Sequence, residues 1–407
     1  MRPPAQPARV ALIHYTAPPI VGGVERTIGR HATLMADAGH AVRLVAGRGA
    51  SPDPRVAFVS VPLADSLHPR VVQVGKELAA GRIPDEFPDI VRSLAADLAA
   101  ALDGVDIAIA HNVASLSRNL ALTAALHSVA AQNHSLRLVL WHHDLAWTMP
   151  SYRPTLHEGE PWTLLRTAWP GAVQVTISDG RRDDLAALLG VAAGSITVVP
   201  GGVDLPDVPG ATGLTDLNPL LLAPVRITPR KNIELAIRVV AELRRLGRPA
   251  GLIVSGPADP HDPTERAYID GLVDLRRNLG LERAVIFLAE SECGSPTDAQ
   301  LTGLYTAADA LLLPSWDEGF GLPVLEAGIL RLPVVCSDLP ATRAVAGDAA
   351  AYFMPNADPS EVAATVLRRI DGDPAVALAR RIRSEYAWTS VYRRCIEPLL
   401  ARVSRGI

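Results

Sequence analysis

Lysine is scarce in this chain. Of 39 basic residues only two are lysines, Lys76 and Lys231, and the other 37 are arginines. Cysteine is scarce too: Cys293, Cys336 and Cys395 lie far apart, without the spacing of a zinc site or a disulfide framework. That pattern points to free thiols in a reducing compartment. Basic excess is missing, since 43 acidic residues leave a formal net charge of −4, which argues against a nucleic-acid binder. Long apolar runs are missing as well. The first eight residues are rich in proline, and the apolar run behind them, Val10 to Ile13, is too short for a signal peptide or a membrane span. The expectation is a cytoplasmic protein with no transmembrane segment.

What is present suits globular cores: 48% of the residues are hydrophobic and 20% are charged. At roughly 100–200 residues per domain, 407 residues make two domains the first expectation. Short β-branched runs alternate with helical periodicity, the pattern of α/β domains with parallel sheets. Strands are predicted at Arg9–His14, Ala41–Ala46, Val105–Ala110, Arg137–His142 and Val173–Ile177, with a helix over Val24–Ala38. A Gly/Pro-rich stretch from Ile196 to Pro209 reads as a boundary, and the pattern then restarts. Strands follow at Leu220–Pro224, Gly251–Ser255, Ala284–Leu288, Asp309–Leu313 and Pro333–Cys336, with a helix over Asn232–Leu246. A helical pattern, Trp388–Val403, closes the chain. Two such units leave a cleft in which a ligand can be held from both sides.

The densest motif is Pro314-Ser-Trp-Asp-Glu-Gly-Phe-Gly-Leu-Pro-Val-Leu-Glu326, placed after a strand and opening a helix near Pro323. Gly319 and Gly321 allow close backbone approach to a ligand, and N–H groups at a helix start bind phosphate. Glu318 and Glu326 bracket a gap the size of a sugar, and carboxylates accept hydrogen bonds from vicinal hydroxyls. This run resembles the E-x7-E signature of retaining glycosyltransferases with the GT-B fold, glycosyltransferase family 4. The likeness covers most of the chain and is densest from about residue 220 to 350.

The resemblance implies an α/β GT-B fold, two Rossmann-like domains facing a central cleft. The N-terminal, acceptor-side domain would span 1–203 and the donor-binding domain 204–384, with a C-terminal helix, 385–407, crossing back. The run from Leu220 to Asn232 resembles the family's strand and basic loop. Arg226 and Lys231 would hold the donor diphosphate there, with Arg230 beside them. Lys231 thus stands where the family needs a lysine, while a GC-rich coding background accounts for Lys76. Gly22 and Gly23 resemble the N-domain glycine loop. Glu318, Gly319, Phe320, Gly321 and Leu322 would contact the donor, Glu318 at its sugar and Glu326 at its ribose. Pro200-Gly-Gly-Val-Asp204 resembles the run into the hinge, and Ser337-Asp338 a segment near the active site.

Trp141-His142-His143-Asp144 ends a strand. Neighbouring strand residues point to opposite faces, so the two histidines do not share a metal. By the resemblance, His143 matches a histidine near the reacting end of the donor sugar, and His111 an N-domain cleft residue placed on the acceptor side. His142 reads as structural.

The implied catalytic set is His143, Arg226, Lys231 and Glu318. No D-x-D motif is read for a divalent metal, and Arg226 and Lys231 would stabilise the departing diphosphate instead. No cofactor and no metal are expected. A sugar-nucleotide epimerase of the same fold stays open. An NAD-dependent dehydrogenase would need G-x-G-x-x-G after the first strand, where this chain has Pro18-Pro-Ile-Val-Gly-Gly-Val.

For the acceptor, four of the six tryptophans (Trp141, Trp147, Trp162 and Trp169) fall between residues 141 and 169, with Tyr152. Aromatic faces pack on sugar C–H surfaces. The acceptor is expected beneath the 144–169 segment, against Trp147, with Arg153 or Arg166 on an acidic group of it. Residues 1–200 hold 17 basic and 17 acidic side chains with no polybasic cluster. A small soluble acceptor is therefore expected, with a lipid or polysaccharide acceptor as the alternative.

Overall fold

The computed structural model describes residues 7–204, 216–256, 263–290 and 296–406. Cys293, Pro206 and Pro209 lie outside the described residues. The chain forms two compact units, Met1–Gly202 with Val391–Ile407, and Val203–Ser390.

The first unit runs β1 (Arg9–Ile13), α1 (Gly23–Asp37), β2 (Ala41–Ala46), β3 (Ala57–Ser60), α2 (Pro69–Ala79), α3 (Phe87–Ala101), β4 (Ile107–His111), α4 (Leu120–Gln132), β5 (Arg137–His142), β6 (Val173–Thr176), α5 (Asp179–Leu189) and β7 (Thr197–Val198). Its seven strands are all parallel, in the order β3-β2-β1-β4-β5-β6-β7. The central strands read as continuous apolar runs because both faces are covered. Every residue of β4 is buried, as is all of β5 beyond Arg137. Helices α3 and α4 pack Ile90, Leu94, Leu98, Leu122 and Leu126 into one core.

The second unit runs β8 (Leu220–Ala223), α6 (Ile233–Arg245), β9 (Gly251–Val254), α7 (Pro263–Asn278), β10 (Val285–Phe287), α8 (Asp298–Ala307), β11 (Ala310–Leu313), α9 (Leu322–Ile329), β12 (Val334–Ser337), α10 (Pro340–Ala346), β13 (Ala351–Phe353), α11 (Pro359–Asp371), α12 (Pro374–Arg381) and α13 (Trp388–Val391). Its parallel order is β10-β9-β8-β11-β12-β13, and β8, β9, β11 and β12 are wholly buried. A buried ion pair ties the end of this unit to its sheet. Arg383 reaches the Asp309 carboxylate at 2.5 Å and donates to the Ala307 carbonyl at 2.6 Å, while Asp309 also accepts from the Leu220 amide.

The last helix, α14 (Glu397–Ser404), belongs to the first unit. It buries Leu399, Leu400 and Val403, and Arg402 donates to the Thr197 hydroxyl of β7. The helical stretch expected over Trp388–Val403 is not one regular helix, since a π-helical turn over Tyr392–Ile396 separates α13 from α14.

Each sheet has one place where the strand order reverses, between β1 and β4 in the first unit and between β8 and β11 in the second. Loops leaving the carboxyl ends of two such strands diverge to opposite sides and leave a crevice, the usual ligand position in open α/β sheets.

Candidate functional site

In the second unit the two loops at the switch point are those carrying the strongest sequence motifs. Strand β8 leads into Arg226 and then a 3-10 turn, Pro229–Lys231. Strand β11 leads into residues 314–321 and then α9. The strands pair directly, Ala310 with Leu221 and Leu311 with Leu222, so the loops start side by side. The Trp316 amide donates to the Arg230 carbonyl at 2.8 Å and ties them together.

Across this junction Lys231 Nζ donates to Glu318 Oε1 at 2.6 Å, and Ser315 Oγ donates to the same oxygen at 2.7 Å. The two charged side chains are only 8% and 6% exposed. One Glu318 oxygen is thus saturated, while Oε2 accepts from no described residue. Lys231 has three N–H donors and uses one here. The pair is a fixed arrangement of charge that keeps a carboxylate oxygen and ammonium hydrogens in reserve for a ligand.

The backbone supports this geometry. Asn232 takes the left-handed conformation at φ 51° to end the 3-10 turn and start α6, and its side chain donates to the Pro355 carbonyl. Gly321 sits at φ 85° as the residue before α9, where a side chain would be strained. Gly256, after β9, passes so close to the β8 loop that a Cβ there would lie 2.1 Å from the Val225 carbonyl oxygen and 2.6 Å from the Arg226 nitrogen. Helix α9 has Pro323, which carries no N–H, in its first turn and no acidic residue there, and the Val324 amide donates to the Gly321 carbonyl at 2.9 Å. Trp316, Phe320 and Leu322 are exposed around it, as is Arg226.

Glu326, in α9, accepts a short hydrogen bond from Tyr305 on α8. Tyr305 is buried, and desolvation followed by the bond to Glu326 pushes its phenol well above the ordinary tyrosine range, so it stays a donor. Sequence reasoning missed Tyr305 and Ser315. Ser315 could have been found from its place three residues before Glu318, whereas nothing in the spacing marks Tyr305. Asp338, grouped with Ser337 in the sequence reading, pairs with Arg343 at 2.7 Å, and Arg343 lies over the Tyr352 ring. A literal Asp-x-Asp also occurs, at Asp371-Gly-Asp373, which corrects the reading that none exists. Both its carboxylates are engaged away from this site: Asp371 by Arg248 and Arg380, and Asp373 by the first amides of α12.

The first unit has its own cavity at the β1/β4 switch point, about 250 Å³, lined by His14, Thr16, Gly22, Gly23, Glu25 and Asp144 among others. Thr16 Oγ1 donates to Glu25 Oε1 at 2.5 Å, which fixes the start of α1 over the glycine loop. A chain of histidines lies beneath. His14 Nδ1 donates to the His111 carbonyl at 2.8 Å, and His111 Nδ1 shares a hydrogen with His143 Nε2 at 3.0 Å. Asn112, left-handed at φ 58°, accepts the backbone amides of His143 and Asp144.

Burial pushes the His143 imidazole down to about 3, with neighbouring His14 and His142 adding to the effect, so it is neutral at neutral pH. His142 faces the other way as expected, bonded to Gln174, and burial brings it to about 4.

Two acceptor-side expectations change here. His111 is 0% exposed and stacked on Trp141, so its ring reaches no surface and bonds His143 instead. Trp147 is no bare platform. The Arg153 and Arg166 guanidinium groups lie over its ring at 4.7 and 4.2 Å, and its indole N–H donates to the Trp162 carbonyl. Among the described residues no three His, Cys, Asp or Glu side chains cluster to hold a metal ion, and no helix is long and apolar enough to cross a membrane.

Comparison with known proteins agrees with this architecture. The family model described as Glycosyltransferase Family 4 matches residues 21–206, and the one described as Glycosyl transferases group 1 matches residues 210–386. A glycogen synthase of Mycobacterium tuberculosis is 26% identical, over 97% of this chain and 94% of that protein. A D-inositol 3-phosphate glycosyltransferase of Kineococcus radiotolerans is 30% identical, over 55% of this chain and 57% of that protein. Among solved structures, a sucrose-phosphate synthase of Thermosynechococcus elongatus aligns with 98% of this chain and 100% of its own at 17% identity, with a TM-score of 0.38. With two Rossmann-like units and family matches running almost unbroken from residue 21 to residue 386, the chain belongs to glycosyltransferase family 4 and has the GT-B fold.

Proposed function

We propose that the chain transfers a hexose from a UDP- or GDP-sugar to a hydroxyl of a small soluble acceptor, with retention at the anomeric carbon and without a metal ion. The observation that carries the donor half is the Lys231–Glu318–Ser315 cluster at the β8/β11 switch point. In this reading the free hydrogens of Lys231, with the Arg226 guanidinium, meet the diphosphate and stabilise the negative charge that builds as the sugar departs. Glu318 Oε2 accepts from a donor-sugar hydroxyl, and Glu326, steadied by Tyr305, accepts from the ribose. The glycine loop at Gly22-Gly23 and neutral His143 serve the reacting end of the sugar. A neutral imidazole orients a hydroxyl there without opposing the cationic character of the transition state. Retention rests on the likeness of the Glu318–Glu326 run to the family signature. The name of one relative carries a small acceptor, inositol phosphate, and that of another carries a polymer, glycogen. The balanced charge of residues 1–200 favours the small acceptor over a membrane lipid. A reducing, cytoplasmic setting suits the thiols of Cys336 and Cys395, which form no disulfide.

Calorimetry with UDP, GDP and their sugars tests the donor half. One nucleotide should bind, and Glu326→Ala should weaken it by about 1.5–3 kcal/mol through the lost charged acceptor. Unchanged affinity would remove Glu326 from the site. Turnover should survive EDTA, and NMR of the product should show the donor's own anomeric configuration. A strict metal requirement or an inverted product would overturn those parts of the reading.

A further inference from the structure

A sizeable cavity of the first unit lies away from the motifs. It measures about 510 Å³ and lies in the first unit under α2, between the start of α4 and residues 151–162. Its floor is apolar, with Val71, Val74, Leu78, Ile90 and Trp162. Its rim is polar and cationic, with Lys76 and Arg118 and the hydroxyls of Ser117, Ser151, Tyr152 and Thr155.

The two cations stand out for what they do not touch. Nearby, Glu77 is held by Arg82 at 2.8 Å and Glu86 by Arg70 at 2.6 Å. Neither Lys76 nor Arg118 makes an ion pair with any described carboxylate, and both are exposed to the cavity. Arg118 also lines the smaller cavity of the glycine loop, His14 and Asp144. The two cavities therefore share a wall, and a ligand gripped at Arg118 lies beside the β1/β4 switch point. The cations first expected to hold an acidic group, Arg153 and Arg166, are seated on Trp147, and Arg166 also pairs with Glu158.

We infer that this cavity is the acceptor site, and that the acceptor is a hydroxyl compound bearing a phosphate or carboxylate, which Lys76 and Arg118 hold. The inference rests on the glycosyltransferase reading above and narrows its acceptor. The volume lies within the ordinary range for a small-ligand site, roughly 300–1,000 Å³. Apolar side chains cover the C–H faces of such a compound, the rim hydroxyls meet its own hydroxyls, and the paired cations give charge-assisted bonds to its anionic end. One of the chain's two lysines then has a task beyond background composition.

The test uses the full chain with glucose 6-phosphate, glycerol 3-phosphate, glucuronate and inorganic phosphate as probes, against glucose and glycerol. Calorimetry should show at least one anionic probe binding about 10–100-fold more tightly than its neutral parent, the span of one or two charged hydrogen bonds. Lys76→Gln and Arg118→Gln should each lose about tenfold or more of that affinity and leave UDP and GDP affinity unchanged. The inference is overturned if no anionic probe binds, if both variants bind the anion as well as the wild type, or if they weaken nucleotide binding equally. Failure of the broader reading looks different: no nucleotide or nucleotide sugar binds, while the anion still binds and is lost in the two variants. Both residues are exposed, so the variants should fold. Unchanged thermal unfolding would show it.

Discussion

Lys231 and Glu318 should be worth more as a pair than either is alone, and a double-mutant cycle measures the difference. With Nζ and Oε1 at 2.6 Å, an effective dielectric constant of about 20 puts their attraction at about 6 kcal/mol. Removing two charges from water opposes that by several kcal/mol per ion, so the net value of the pair is far smaller than the attraction. Breaking it from one side is different. Lys231→Met leaves a carboxylate that is almost wholly buried, with only Ser315 to bond it. Glu318→Leu leaves a buried ammonium. Each single variant should cost about 3–5 kcal/mol of stability, and Lys231→Met with Glu318→Leu together should cost less than the two summed. A coupling of roughly 2 kcal/mol or more is expected, read from urea unfolding of the four proteins.

The three variants should lose nucleotide-sugar turnover by about a hundredfold or more relative to the wild type, with no rescue in the double variant. Stability would thus recover in part while activity would not. Additive stabilities within about 0.5 kcal/mol would show that the contact is not a coupled pair. Recovered turnover in the double variant would show that the charges serve only each other.

Two further outcomes follow from the geometry. His31 and His143 are brought by burial to about 3, and His142 to about 4, below the ordinary 6.5. Their folded values are depressed, so between pH 6.5 and 4 the unfolded chain takes up protons that the folded chain refuses. Stability is full above pH 6.5 and falls as the pH falls, by on the order of 2 kcal/mol per histidine at pH 5. Thermal unfolding followed by tryptophan fluorescence should show the melting temperature dropping steeply from pH 7 to pH 5, and a flat profile would refute the buried neutral cluster. Gly256→Ala should push the Val225–Arg226 backbone out of place, costing about 1–3 kcal/mol, and should weaken nucleotide binding measurably. Wild-type affinity in that variant would mean that the Arg226 loop shifts without consequence.

How much of this could be read from the sequence differs by the range of the interaction. Strands β2 and β5 appear where alternation and β-branched runs placed them, Ala41–Ala46 and Arg137–His142. The short edge strands β3, β7 and β13 did not, because two to four residues, most of them partly exposed, carry no periodicity to detect. The π-helical turn at Tyr392–Ile396 is invisible for a related reason: its apolar spacing passes for that of a continuous helix.

The site divides along the same line. Glu318, Gly321 and Glu326 are close in sequence, so their motif was legible, and so was the strand before it. The ion pair of Lys231 with Glu318 was not, because 87 residues separate the partners and only the pairing of β8 with β11 brings them together. The sequence reading gave both residues to the donor, one for phosphate and one for sugar. The structure first binds them to each other, and each can still serve the donor because Glu318 spends one oxygen and Lys231 one hydrogen.

Lys76 poses the opposite problem. Its rarity was visible, but rarity alone cannot tell chance from use. What decides between them is spatial: a cavity wall shared with Arg118, with no described carboxylate paired to either cation. A residue type that the chain almost never uses becomes informative only when the fold shows what lies beside it. At Lys231 that neighbour is a buried carboxylate, and at Lys76 it is a cavity that Arg118 also lines, so the same side chain is part of a built charge pair in one place and, by the inference above, a partner for an anion in the other.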